Sequence, residues 1–167
     1  LTYLVIGDGT GGHGTIEAVV DLSGNAIPGS GYFVAAESTF TLGTASLTTN
    51  LSFENSDNVT HLLVSGFTGA TGVDLDTNDD GILDGVLPWS ATVDCVALIE
   101  TVGSGDLTYC LTKVGPDGSA VPSHVFRCAP GWQIGQDDPV GGVDTPGEAN
   151  TCGTTPQPEM DVETPTG

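Results

Sequence analysis

Positive charge is almost missing from this chain: Lys113 and Arg127 stand against 22 Asp and Glu residues, for a formal net charge of -20. Phosphate backbones are held by clusters of Lys and Arg, so nucleic acid is excluded as a partner, and an anionic membrane surface would repel the chain. Long apolar runs are missing as well. No stretch of eighteen apolar residues offers a membrane span, so no membrane insertion is expected, and no basic-then-apolar start marks a signal peptide. A chain that opens on Leu1 rather than methionine is read as a processed product or as a stretch from the middle of a longer one. Helical periodicity is a third absence, since no window of helix length repeats its apolar residues every three to four positions. Metal-type cysteine spacing is a fourth. Cys95, Cys110, Cys128 and Cys152 form no Cys-x-x-Cys pair, and His13, His61 and His124 do not gather around them, which argues against zinc.

What is present is alternation. Apolar and polar residues alternate in short runs, separated by Asn, Asp and Pro clusters and by many of the 25 glycines. Period-two alternation marks half-buried strands. It predicts an all-β chain with strands over 2–6, 15–21, 31–37, 45–53, 59–65, 91–100, 107–114 and 121–128. About eight short strands punctuated by turns point to a β-sandwich. With 167 residues the chain is long enough for one domain with a proper core, placed at 1–152. Residues 153–167 are rich in Pro, Thr and Glu and read as an extended tail. Such a tail would become ordered by adding to a sheet edge of its own domain or of a neighbouring copy.

Four cysteines allow three pairings, and disulfides in an exported protein are the expectation. Gly115-Pro116-Asp117-Gly118 lies between two strand-like runs, which predicts a hairpin over 108–128; the midpoint of Cys110 and Cys128 is position 119, within the predicted turn region. The expected bridges are therefore Cys110–Cys128 and Cys95–Cys152, the second closing a long loop worth about 2–4 kcal/mol.

The most specific motif is the segment 74–84, Asp-Leu-Asp-Thr-Asn-Asp-Asp-Gly-Ile-Leu-Asp. Calcium takes six to eight oxygen ligands, and a loop can supply most of them from alternate positions if a glycine lets it turn at position six. Registered on Asp76, the ligands are Asp76, Asn78, Asp80, the carbonyl of Ile82 and Asp84, with Gly81 at the turn. Position twelve, where a helix-loop-helix hand carries a bidentate Glu, is Leu87, and Pro88-Trp89 cannot open a long exit helix. Asp74 is the nearest candidate for the missing ligand. The shorter pattern Asp-x-Asn-x-Asp-Gly-x-x-Asp resembles the calcium loops of dockerins and thrombospondin type 3 repeats, which need no flanking helix pair. A plain solvated turn needs only one or two such residues, so Ca2+ is the expected cofactor. The loop falls in the long connection between strands ending near 65 and starting near 91, which implies a structural site that organises that crossover.

Other motifs are weaker. Gly7-Asp8-Gly9-Thr10-Gly11-Gly12 satisfies Gly-x-Gly-x-x-Gly, but a dinucleotide site needs a helix to begin there, and residues 15–21 alternate as a strand. Ser123 precedes His124 without a Gly-x-Ser-x-Gly elbow, and scattered acids are no glycosidase signature, so no catalysis is expected. Asn50-Leu51-Ser52 and Asn58-Val59-Thr60 are glycosylation sequons. Asp137, Asp138 and Asp144 form a second, poorer candidate cation cluster.

Three stretches carry a resemblance. Val19-Val20-Asp21-Leu22-Ser23-Gly24 precedes Gly31-Tyr32-Phe33-Val34, and Asn55-Ser56-Asp57-Asn58-Val59-Thr60-His61-Leu62-Leu63 follows. The end reads Phe126-Arg127, Trp132, then Thr145-Pro146-Gly147-Glu148-Ala149-Asn150. Together, over roughly 1–152, these resemble bacterial lamin-tail-like domains. The resemblance implies an immunoglobulin-like β-sandwich of secreted or surface proteins, often appended to nucleases or other hydrolases and used for attachment. It makes Arg127, Trp132, Pro146, Gly147 and Asn150 architectural. The family's opening Asn-Glu and Phe-Ile-Glu-Leu-x-Asn strands are not intact before Asp21, which implies a divergent subgroup or an open sheet edge. The expected function is a secreted or cell-surface, non-enzymatic structural or adhesion module. Its partners would be copies of itself, another surface protein or a polysaccharide; the alternative is an accessory domain of a secreted hydrolase or nuclease.

Overall fold

Leu4, Val5 and Ile6 form an unbroken apolar run, which is stable in a strand only where both of its faces are covered. All three are fully buried. They lie in β1 (Thr2–Gly7), an inner strand of a five-stranded sheet of order β2-β1-β5-β6-β7, with β2 (Thr15–Asp21), β5 (Val59–Ser65), β6 (Ala91–Leu98) and β7 (Lys113–Val114). The computed structural model describes residues 1–8, 12–54, 56–103, 105–135 and 144–152. Asp137, Asp138 and the tail 153–167 lie outside the described residues.

Successive residues of β1 point to opposite faces, and each face has its own core. Leu4 and Ile6 pack with Ile16, Leu62, Val64 and Leu75, and this face is covered by Phe67, Leu83 and Trp89 from the connection 66–90. Val5 packs with Ala18, Val59, Val96, Leu98 and Val114 on the other face. That second core is closed by Val125, Trp132 and Ile134 from the small sheet of β8 (Val125–Arg127) and β9 (Trp132–Ile134). Burial of each large residue here, such as Leu4 or Ile16, contributes about 1.5–3 kcal/mol.

The fold is all-β, with no helix among the described residues and sheets of mixed topology, consistent with a β-sandwich. Nine strands stand among the described residues. The expected runs 31–37 and 45–53 shrink to β3 (Ala35–Ala36) and β4 (Leu47–Thr48), a parallel pair. Alternation alone did not extend the first of them, because Tyr32 finds no covering layer and stays exposed.

Three expectations are corrected. Segment 107–128 is not a hairpin: β7 runs parallel to β6, with Ala97 opposite Lys113, while β8 pairs with β9. The parallel pairing carries residue 110 back alongside β6, so Cys110 bonds Cys95 and not Cys128, with Cα atoms 6.0 Å apart. Cys128 is left for Cys152 at 5.7 Å. The pairings Cys110–Cys128 and Cys95–Cys152 are therefore replaced. Replacing Cys95 and Cys110 together by alanine should destabilise the domain by about 3 kcal/mol, the loop-entropy value for a bridge of this span. Non-reducing peptide mapping checks the pairing itself, and a peptide joining Cys110 to Cys128 would refute it. The connection 66–90 is likewise no crossover, since β5 and β6 are antiparallel neighbours. Its base is closed by Ser90 N–H to the Ser65 carbonyl at 2.8 Å and Thr68 N–H to the Pro88 carbonyl at 2.8 Å.

Candidate metal centre

The 74–84 loop is held in place by the β1–β2 hairpin. Thr15 bridges Asp74, Leu75 N–H donates to the Gly14 carbonyl at 3.1 Å, and Ile16 N–H donates to the Val73 carbonyl at 2.9 Å. Leu75 anchors the loop by entering the first core. The loop thus borrows the first part of the exposed β2 edge, covering backbone groups that would otherwise be open to pairing.

Asp76 is the hub. It is fully buried, and its Oδ1 accepts from Asp80 N–H at 3.1 Å while its Oδ2 accepts from Gly81 N–H at 2.8 Å and Tyr109 O–H at 2.8 Å. Burial alone pushes its carboxyl up; the Tyr109 hydroxyl and the two amides outweigh it and hold the group below the usual carboxylate range. Tyr109 is shifted upward in turn, by burial first and by the Asp76 carboxylate next. Gly81 sits at φ 83°, and the loop also puts Asp79 at φ 53°. Only short polar residues tolerate that left-handed conformation at little cost, and Asp79 accepts from His13 N–H at 3.0 Å.

The other expected ligands divide into two groups. Asn78 and Asp80 meet through a hydrogen bond, Asn78 Nδ2 donating to Asp80 Oδ2 at 3.0 Å. Asp80 Oδ1 also accepts from Ile82 N–H at 2.9 Å, while the Ile82 side chain is 68% exposed, leaving its backbone as the only part directed to the loop. Asp74 and Asp84 are engaged elsewhere: Asp74 accepts from Asp76 N–H at 2.9 Å, and Asp84 Oδ2 accepts from the amide and hydroxyl of Thr77. Among the described residues no three Asp, Glu, His or Cys side chains gather into a metal-holding group. The donor set, carboxylates with an amide and a carbonyl oxygen, suits a hard cation by its chemistry.

Asp144 of the second cluster meets His124 Nδ1 at 2.8 Å. Asn58 is buried, its amide donating to the Asp106 carbonyl and its oxygen accepting from Glu100 N–H, so that sequon is closed to modification; Asn50 is exposed. Tyr109, Gly14 and Asp79 were not among the expected site residues. Tyr109 and Gly14 reach the loop only through the tertiary fold, whereas Asp79 was visible within the motif but lies at a non-ligand position.

No family model, curated protein or solved structure matches this chain.

Of the residues quoted for the resemblance, Arg127, Trp132 and Asn150 meet at β8 and β9: Arg127 pairs with Asp94 at 2.8 Å and lies over the Trp132 ring at 5.7 Å, and Asn150 donates to the Arg127 carbonyl at 2.8 Å. Gly147, at φ 80°, turns the chain against Val34.

Proposed function

We propose that this chain is a secreted or cell-surface, non-enzymatic structural or adhesion module of immunoglobulin-like, lamin-tail-like type, stabilised by calcium and two disulfides. The observation that carries the reading is the buried Asp76 carboxylate, which folds the 74–84 loop around itself and ties it to Gly14 and Tyr109. A loop so built serves to hold the sheet. In this reading Asp76, Asn78, Asp80, the Ile82 carbonyl and Asp84 hold Ca2+, with Asp74 as the nearest further donor. The ion supplies charge neutralisation in a chain whose formal charge is -20. Two disulfides support an oxidising compartment, and no described helix is long and apolar enough to cross a membrane. A groove of about 820 Å³ lined by Leu1, Tyr3, Val20, Ile27, Phe33 and Leu51 supports contact with another protein or a second copy.

Calorimetry tests the metal: calcium should raise the melting temperature of chelator-treated protein by several degrees, and Asp80→Ala should remove most of that rise. Identical melts in calcium and chelator would end the calcium reading. Sedimentation at rising concentration tests self-assembly, which a monomer at every concentration would refute.

A further inference from the structure

We propose that Asp57 and Asp8, with Glu17 and Asp106 at the rim, form a second divalent-cation site at one end of the main sheet, separate from the 74–84 loop. Asp57 is 5% exposed; neither carboxylate oxygen receives a hydrogen bond from an amide, a hydroxyl or a base, and the side chain that meets it is another acid, Asp8. A buried carboxylate in that condition demands a compensating charge or a proton. The groups facing it are acids: Asp8 against its carboxyl, then Glu17 and Asp106. The chain's two basic residues are placed elsewhere, Lys113 on β7 and Arg127 on Asp94.

The fold assembles these acids on purpose-built supports. Asp8 follows the last residue of β1, and Asp57 lies two residues before the start of β5, the neighbouring strand. Glu17 is the extra residue of a β-bulge, since Val5 pairs with Ala18 but Ile6 pairs with Ile16. Bulges re-aim a side chain, and this one lays the Glu17 carboxylate over Gly7, where an added Cβ would stand 2.8 Å from it. Asn58 fixes Asp106 alongside, holding its carbonyl at 3.1 Å.

Magnesium and calcium take carboxylate oxygens and keep water in the remaining positions. Because no three acids among the described residues gather into a metal-holding group, Asp57 and Asp8 take the ion directly, and Glu17 and Asp106 act through its water. With no ion bound, burial first and the facing carboxylates next push the Asp57 carboxyl upward from its ordinary value.

The test is calorimetric titration of calcium alone, and of magnesium alone, into the chelator-treated full chain at pH 7. It is run for the wild type, Asp57→Asn, Asp8→Asn and Asp80→Ala. Asp57→Asn should lose one cation site, and Asp8→Asn should weaken that site at least tenfold. Asp80→Ala should keep that site and lose the loop site. If the loop reading fails, the wild type shows a single site that Asp80→Ala keeps and Asp57→Asn abolishes. An Asp57→Asn protein with unchanged stoichiometry overturns the proposal.

Discussion

Asp76→Ala is expected to lower stability by about 3–5 kcal/mol, and to do so in chelator as well as in calcium. The substitution leaves the Asp80 and Gly81 amides and the Tyr109 hydroxyl without their acceptor in a place closed to solvent. Those bonds belong to the protein and owe nothing to an ion. Asp80→Ala differs, because Asp80 is spent on Asn78 and Ile82 at the loop surface, so its loss should matter chiefly when calcium is present. Chemical denaturation of both variants, with and without chelator, separates the two roles. An Asp76→Ala effect that vanished in chelator would show that Asp76 acts only through the ion. A corollary concerns acid: a carboxylate held below its ordinary range contributes stability above its unfolded value that is lost as pH falls, so the loop should loosen first in acid.

Gly14→Ala should be the other severe change, destabilising by about 2–5 kcal/mol. Gly14 has φ 87°, and a Cβ there would stand 2.6 Å from the Cβ and 2.8 Å from the backbone nitrogen of Asp76. A flexible side chain could move aside; the Asp76 backbone cannot, since it is fixed by the hub described above. Gly24→Ala is the matched comparison, with φ 75° and nothing within 4 Å. It carries the left-handed strain without the collision and should cost only about 1–2 kcal/mol. Equal melting temperatures for the two variants would show that the hairpin and the loop are not in tight contact.

The legible parts of this fold were those whose information is local. Strands expected at 2–6, 15–21, 59–65 and 91–100 stand as β1, β2, β5 and β6 to within a residue or two, because each carries several apolar residues packed on a core. The 74–84 motif was legible for the same reason, its candidate ligands lying in one stretch. What stayed hidden depends on topology. β7 is two residues long and parallel, too short to announce its partner, and with it went the pairing of Cys110. β9 follows β8 after the Ala129-Pro130 turn, a strand too short for alternation to register. Asp57 looks in sequence like any polar residue before a strand; only the bulge at Glu17 and the end of β1 bring acids to face it.

The two disulfides join each cysteine to the next one along the chain, Cys95 to Cys110 and Cys128 to Cys152. They form two separate lassos that neither nest nor interleave. In a chain oxidised from its N-terminal side, the first lasso can therefore close before Cys128 takes part, and the second afterwards. Consecutive oxidation yields the native connectivity directly, with no reshuffling of bridges.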